Sequence, residues 1–320
     1  MRQQLDGREH RDLLDLMGRA ELADAHPAFP EPQRAAIDSG DLAPAGMTAV
    51  LVRDDGRLVG CAVLTPGRDG STTIHTAVDP ERRDGSRPAH GSRVWDGLME
   101  AALQQVGPHR GRTHLWAMAV TAADDDDAVA LGFHPERDLL QMRVRLPLPS
   151  DIARATLPAA TRAFVPGRDD DAWLTMNNRA FAGHPEQAGW TRDDLDARLR
   201  ARWFDPEGFR VLDDPDRPGT LIGACWTKVH RSRAPALGEI YVIAVDPSHH
   251  GRGWGRALTV AGLEWLAAQG ITTGMLYTDE ANTGAVSLYR SLGFAVDHID
   301  RSYLEEVTED ATPGPPPRPR

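Results

Sequence analysis

The stretch Val245-Asp246-Pro247-Ser248-His249-His250-Gly251-Arg252-Gly253-Trp254-Gly255-Arg256-Ala257-Leu258 decides how this chain is read. A strand ends at Val245, a glycine-rich turn follows, and a helix begins near Gly253. Glycines let the backbone approach a ligand closely, and a helix N-terminus offers unpaired N–H groups and the positive end of a dipole. Together they predict a cradle for a pyrophosphate. No Gly-Lys-Ser/Thr follows, which excludes a Walker loop. The glycines stand at alternate positions, unlike the Gly-x-Gly-x-x-Gly of a dinucleotide fold.

The triplets around this loop occur twice. Val245-Asp246-Pro247 repeats Val78-Asp79-Pro80, Leu292-Gly293-Phe294 repeats Leu131-Gly132-Phe133, and Gly223-Ala224-Cys225 matches Gly60-Cys61-Ala62, all in the same order. The near-constant spacing predicts a duplicated unit. In the second copy the pattern gives helices opening at Asp169 and Thr191, and strands at 209–212, 220–229 and 239–245. A helix over 253–268, a strand over 272–277, a helix over 282–291 and a last strand near 296–303 complete it. The first copy gives strands near 49–53, 58–64 and 72–78, a helix near 93–106 and a strand over 113–120. The expected fold class is α/β (α+β): two tandem domains, each a mixed, largely antiparallel sheet flanked by helices. Residues 1–147 form the first domain, 148–158 a linker, 159–308 the second domain and 309–320 a disordered Pro-rich tail.

Composition agrees. A chain of 320 residues exceeds one ordinary core and suits two domains. Hydrophobic residues at 41% and charged residues at 26% are globular values and exclude a wholly disordered chain. The net charge of −11 disfavours an electrostatic nucleic-acid binder. No apolar run approaches the ~18 residues of a spanning helix, and Met1–Asp6 has no apolar signal core. The expectation is a cytoplasmic monomer with neither nucleic acid nor membrane as partner. Two cysteines, Cys61 and Cys225, supply neither a disulfide framework nor a cysteine-rich zinc site. They are read as buried packing at equivalent strand positions. The histidines make no metal-ligand pattern, so no metal is expected.

The strand, the loop His250–Gly255 and the following helix resemble motif A of the GCN5-related N-acetyltransferases, Gln/Arg-x-x-Gly-x-Gly/Ala, with His250 in place of Gln or Arg. Asn282-Thr283-Gly284-Ala285-Val286-Ser287-Leu288-Tyr289-Arg290-Ser291-Leu292-Gly293-Phe294 resembles motif B, Asn-x-x-Ala-x-x-Leu-Tyr-x-x-x-Gly-Phe. Glu239–Val245, Trp226–His230 and Phe181–Thr191 narrow the likeness to the actinobacterial mycothiol synthase family of tandem acetyltransferases. That resemblance implies transfer of acetyl from acetyl-CoA, as co-substrate, to the cysteinyl amine of a small-molecule thiol precursor, cysteinyl-glucosaminyl-inositol.

Acetyl transfer to an amine needs an anchored pyrophosphate, a polarised thioester carbonyl, a deprotonated ammonium and a protonated leaving thiolate. The resemblance assigns coenzyme contacts to Ile243, Ala244, Val245, His250, Gly251, Arg252, Gly253, Trp254, Gly255, Arg256, Asn282, Ala285 and Ser287. It makes Glu239 the general base and Tyr289 the general acid. Glu239 lies six residues before Val245, an even spacing that puts both on one sheet face unless a bulge intervenes. Glu186, Lys228 (the lone lysine), Glu239 and Tyr277 are the substrate-binding candidates. The first copy lacks the alternate glycines after Asp79, and its motif B counterpart, Asp124–Phe133, lacks both asparagine and tyrosine, so it is read as structural. Two other readings remain open: a tandem acetyltransferase for another amine, such as an aminoglycoside or a protein N-terminus, and a non-catalytic acyl-CoA sensor.

Overall fold

The computed structural model describes residues 2–24, 26–67, 69–83, 92–107, 112–154, 156, 160–183, 189–231 and 235–306. The expected Pro-rich tail lies outside them. In the first copy, α1 (Gly7–Asp24) and α2 (Glu31–Ser39) precede β1 (Thr48–Asp54), β2 (Arg57–Pro66) and β3 (Thr72–Val78). Then come α3 (Arg93–Val106), β4 (Arg112–Ala117), α4 (Ala122–Ala130) and β5 (His134–Arg145). The second copy runs α5 (Ser150–Arg154), β6 (Arg162–Ala163), α6 (Asp170–Ala180), α7 (Arg192–Leu199), β7 (Phe209–Asp213), β8 (Leu221–His230) and β9 (Leu237–Val245). It closes with α8 (Trp254–Ala268), β10 (Thr273–Asp279), α9 (Thr283–Ser291) and β11 (Ala295–Glu306). The helical turn α5 falls within the stretch read as a linker.

Two compact units result, and the chain does not fill them in succession. One holds the residues up to Leu139 together with those from His298 onward; the other is Leu140–Asp297. The first unit orders its strands β1-β2-β3-β4-β11, the second β5-β10-β9-β8-β7-β6. The strand after each Leu-Gly-Phe turn therefore completes the sheet built by the other copy. Pairs β3–β4 and β9–β10 are parallel, whereas β1–β2, β2–β3, β4–β11, β6–β7, β7–β8 and β8–β9 are antiparallel. Each sheet is mixed and largely antiparallel, as the pattern predicts.

The duplication is visible bond by bond. Phe133 N–H donates to the Ala128 carbonyl at 3.0 Å, and Phe294 N–H to that of Tyr289 at 3.1 Å. Asp79 N–H reaches the Val59 carbonyl at 2.8 Å, and Asp246 N–H that of Ile222 at 2.7 Å. Both aspartates cap a short 3₁₀ turn through the N–H two residues on, and each takes an arginine from a helix, Arg19 at 2.8 Å and Arg179 at 3.1 Å. The repeated Val-Asp-Pro is thus a cap at the strand end. Ala128 occupies the place that Tyr289 holds in the second copy.

In the second unit, one face of the sheet packs against α6 and α7 through an aromatic cluster. Trp226, fully buried, stacks on Phe209 at 4.3 Å and meets Trp173, Phe204 and Tyr241 edge-on. Trp226→Ala empties the centre of this cluster and is expected to lower stability by about 3–5 kcal/mol, read from the urea midpoint. The other face carries α8, which comes so close that a Cβ at Gly262 would overlap Cys225 Sγ and Ile240 Cδ1.

Candidate functional site

Glu239 and Lys228 are direct partners across the antiparallel pair β9–β8. The register shifts between them and the glycine loop: Trp226 pairs with Val242 but Thr227 with Ile240, so Tyr241 is the extra residue of a bulge. The bulge overturns the equal facing expected for Glu239 and Val245. Glu239 shares its face with Val242, Ala244, Trp226 and Lys228, whereas Ile240, Ile243 and Val245 face α8.

The same place marks where the sheet opens. The parallel pairing of β9 with β10 runs through Gly238↔Gly274 and Glu239↔Met275 and goes no further, although the strands continue to Val245 and Asp279. The edge of Val242–Val245 that faces β10 is left without a strand partner. Alternation from Met275 puts Tyr277 on the Glu239 face, where its hydroxyl accepts a hydrogen bond from Gln141 Nε2 at 2.7 Å.

On that face the structure brings Lys228 and Glu239, both mostly buried, together with four residues to which the sequence reading gave no role: Trp203, Tyr241, His230 and Arg198. The Lys228 ammonium lies over the Trp203 ring at 4.6 Å and the Tyr241 ring at 5.3 Å. His230, two residues beyond Lys228, bonds Glu239 Oε2 through Nε2 at 2.7 Å. Arg198 Nε of α7 donates to the Tyr241 hydroxyl at 3.0 Å. The signal for His230 was present in Trp226-Thr227-Lys228-Val229-His230, whose alternation puts 226, 228 and 230 on one face. Glu186 lies outside the described residues.

Tyr289 sits on α9 and is buried, packed against Phe294 at 5.8 Å. Burial, helped by the neighbouring Cys225 thiol, pushes its phenol well above the ordinary range, so it stays protonated at neutral pH. Cys225 faces α8, and α9 lies beside the start of α8, where a Cβ at Gly255 would meet Leu288 Cδ2 at 3.7 Å, so Tyr289 belongs to the α8 side of the sheet and Glu239 to the opposite face.

The glycine loop leads from β9 into α8. The N-cap is Gly253, in the left-handed region at φ 82°, with no side-chain cap on the first-turn N–H groups. Gly251 also has positive φ, at 75°, with open space where a Cβ would be. Arg252 is exposed, and among the described residues no carboxylate pairs with it. This end of α8 suits a polyanion. His250 turns its Nε2 back onto the Val245 carbonyl at 2.9 Å and so ties the loop to its strand. Below it, burial raises the Asp246 pKa, but hydrogen bonds from Ser248 and the Arg179 charge outweigh this and hold the carboxylate below its usual range. Trp254 is half-buried, and Gly255 lies in the first turn of α8. Arg256 joins α8 to Ser291 at the end of α9, at 2.8 Å. Asn282 caps α9 through the Ala285 N–H at 3.1 Å, and Ser287 is exposed.

The first unit differs at the bulge and at its helix cap, where Ser92 accepts from the Trp95 N–H. Strands β2 and β3 pair in unbroken register from Gly60↔Val78 to Pro66↔Thr72, with no bulge. Because Gly60 and Gly223 hold matching rungs, Cys61 corresponds to Ala224 and not to Cys225, which corrects the expected equivalence. Both thiols are buried, and burial pushes each up to about 12. Among the described residues no His/Cys/Asp/Glu cluster could hold a metal ion, and no helix is long and apolar enough to cross a membrane.

Comparison with known proteins places this architecture. The Acetyltransferase (GNAT) family matches residues 172–294, which span the aromatic face, the loop and α9. A mycothiol acetyltransferase of Acidimicrobium ferrooxidans is 39% identical over 290 residues, covering 90% of this chain and 91% of its own length. One from Pseudarthrobacter chlorophenolicus is 38% identical over 308 residues, covering 92% and 91%. Among solved structures, a tandem GNAT protein from the clavulanic acid biosynthesis pathway shares the fold at a TM-score of 0.66 and 19% identity, covering 94% of this chain and 95% of its own. With such identity to curated relatives along nearly its whole length, the chain belongs to the mycothiol acetyltransferase family of GNAT acyltransferases.

Proposed function

We propose that this enzyme transfers acetyl from acetyl-CoA to the cysteinyl amine of cysteinyl-glucosaminyl-inositol, completing mycothiol. The observation that carries the reading is the opening between β9 and β10, beside the face that holds Glu239 and Lys228. The residues present fit acetyl-CoA. The uncapped N–H groups of α8, the open space at Gly251 and Arg252 suit its diphosphate, and the free edge of Ile243–Val245 offers backbone N–H groups to the thioester oxygen.

In this reading Glu239 accepts the proton of the substrate ammonium, and the freed amine attacks the thioester carbon. As the carbon–sulfur bond breaks, Tyr289 donates its phenolic proton to the departing sulfur. Lys228, Tyr277 and Glu186 bind the polar pseudo-disaccharide. The enzyme works as a cytoplasmic monomer on a small molecule.

Purified protein supplied with acetyl-CoA and the cysteinyl pseudo-disaccharide is expected to release thiol with saturation kinetics, whereas an aminoglycoside or a peptide N-terminus gives no turnover. Turnover of those amines alone overturns the substrate assignment. Gly253→Val puts a β-branched residue at positive φ, at a cost of about 1–2 kcal/mol, and crowds the first-turn N–H groups. The expected result is a KM for acetyl-CoA raised about tenfold or more, with KM for the amine little changed.

A further inference from the structure

We propose that His230 is a positioning residue for the acetyl transfer: it holds one oxygen of Glu239 and so aims the other at the acceptor amine. The inference rests on the reading of Glu239 as the base. An ionised carboxylate only accepts hydrogen bonds, so the 2.7 Å contact requires a proton on His230 Nε2. The register explains how they meet. Glu239 stands opposite Lys228, and His230 opposite Leu237, so His230 and Glu239 are diagonal neighbours on one face, within reach of long side chains.

A glutamate has a broad terminal torsion and does not fix its own carboxylate plane. Here the two side chains are only 25% and 12% exposed, so a single bond in a sheltered place sets the orientation. The neighbouring Lys228 ammonium is directed over the Trp203 and Tyr241 rings. A base must lie within hydrogen-bond reach of the proton it takes, and small misplacements cost large factors in rate.

Among the described residues, the charged groups seen on this face are Lys228 on β8 and Arg198 of α7, which arrives through the Tyr241 hydroxyl; Met275, the β10 partner of Glu239, is uncharged. Neither cation is removed by changing His230.

The test compares His230→Phe, which keeps a ring without the donor, with His230→Gln, whose amide donates from nearly the same place. Each is made alone and in the Glu239→Gln background, and circular dichroism and melting temperature establish folding. His230→Phe is expected to lower kcat about tenfold or more and to leave KM for acetyl-CoA within about twofold. His230→Gln returns kcat to within about threefold of the parent. Adding His230→Phe to Glu239→Gln gives little further loss, because the two act as one unit.

A His230→Phe enzyme with parental kcat, a His230→Gln enzyme no better than Phe, or a fully additive double variant overturns the inference. If Glu239→Gln is itself fully active, the base reading underneath fails. If Glu239→Gln is impaired and His230→Phe is not, only the role of His230 fails.

Discussion

Glu239→Gln is expected to lower kcat by about 10²–10⁴-fold, the range for loss of a general base, while acetyl-CoA binding measured by calorimetry stays near parental. The amide keeps the size of the side chain and can still accept from His230, so the pairing with Lys228 and the bulge at Tyr241 survive. What disappears is the ability to take a proton. The expected signature is an acid limb in the parent's kcat profile that is absent in the variant. A variant that retains the limb places the base elsewhere.

Tyr289→Phe separates the enzyme reading from the sensor reading. It removes one oxygen from a buried ring that otherwise keeps its contact with Phe294. The expected outcome is a loss of about 10²-fold or more in kcat with coenzyme affinity intact. A sensor would bind equally well before and after the change and release no thiol in either case. The sign of the pH effect follows from burial. The phenol is pushed above its ordinary value of 10, so it remains a proton donor through neutral pH and beyond. The parent should show no alkaline fall in kcat from this group below about pH 10. An alkaline limb near 8 that vanishes in Tyr289→Phe would contradict the burial seen here.

Much of this was legible before any coordinates. The glycine loop, the strands on either side of it and the helix carrying Tyr289 are local patterns, and local patterns fix local structure. The bulge was not legible, for a physical reason. Leu237-Gly238-Glu239-Ile240-Tyr241-Val242-Ile243-Ala244-Val245 is apolar on both faces, so no alternation reveals one extra residue. The facing of Glu239 depends on register, and register is non-local, whereas the offset between Cys61 and Cys225 was already present in the aligned triplets Gly60-Cys61-Ala62 and Gly223-Ala224-Cys225. His230 was readable as a neighbour of Lys228, but its bond to Glu239 needed the pairing of β8 with β9. Helices α1 and α2 are a different case: Leu13, Leu16, Met17 and Ala20 line the buried side of α1 at helical spacing. A reading that moved outward from the duplicated strands passed over them.

The exchanged final strands set a timetable for synthesis on the ribosome. Everything the second unit needs, through Asp297, has been translated before the first unit has its fifth strand. Until His298–Glu306 emerges, β4 has an open edge where Tyr303 and its neighbours will pair. Tyr303 is wholly enclosed in the first unit's core, so that core also stays unfinished. The usual vectorial order, amino end first, is thereby inverted. A nascent chain stalled shortly before His298 would hold its later-made half complete and its earlier-made half waiting.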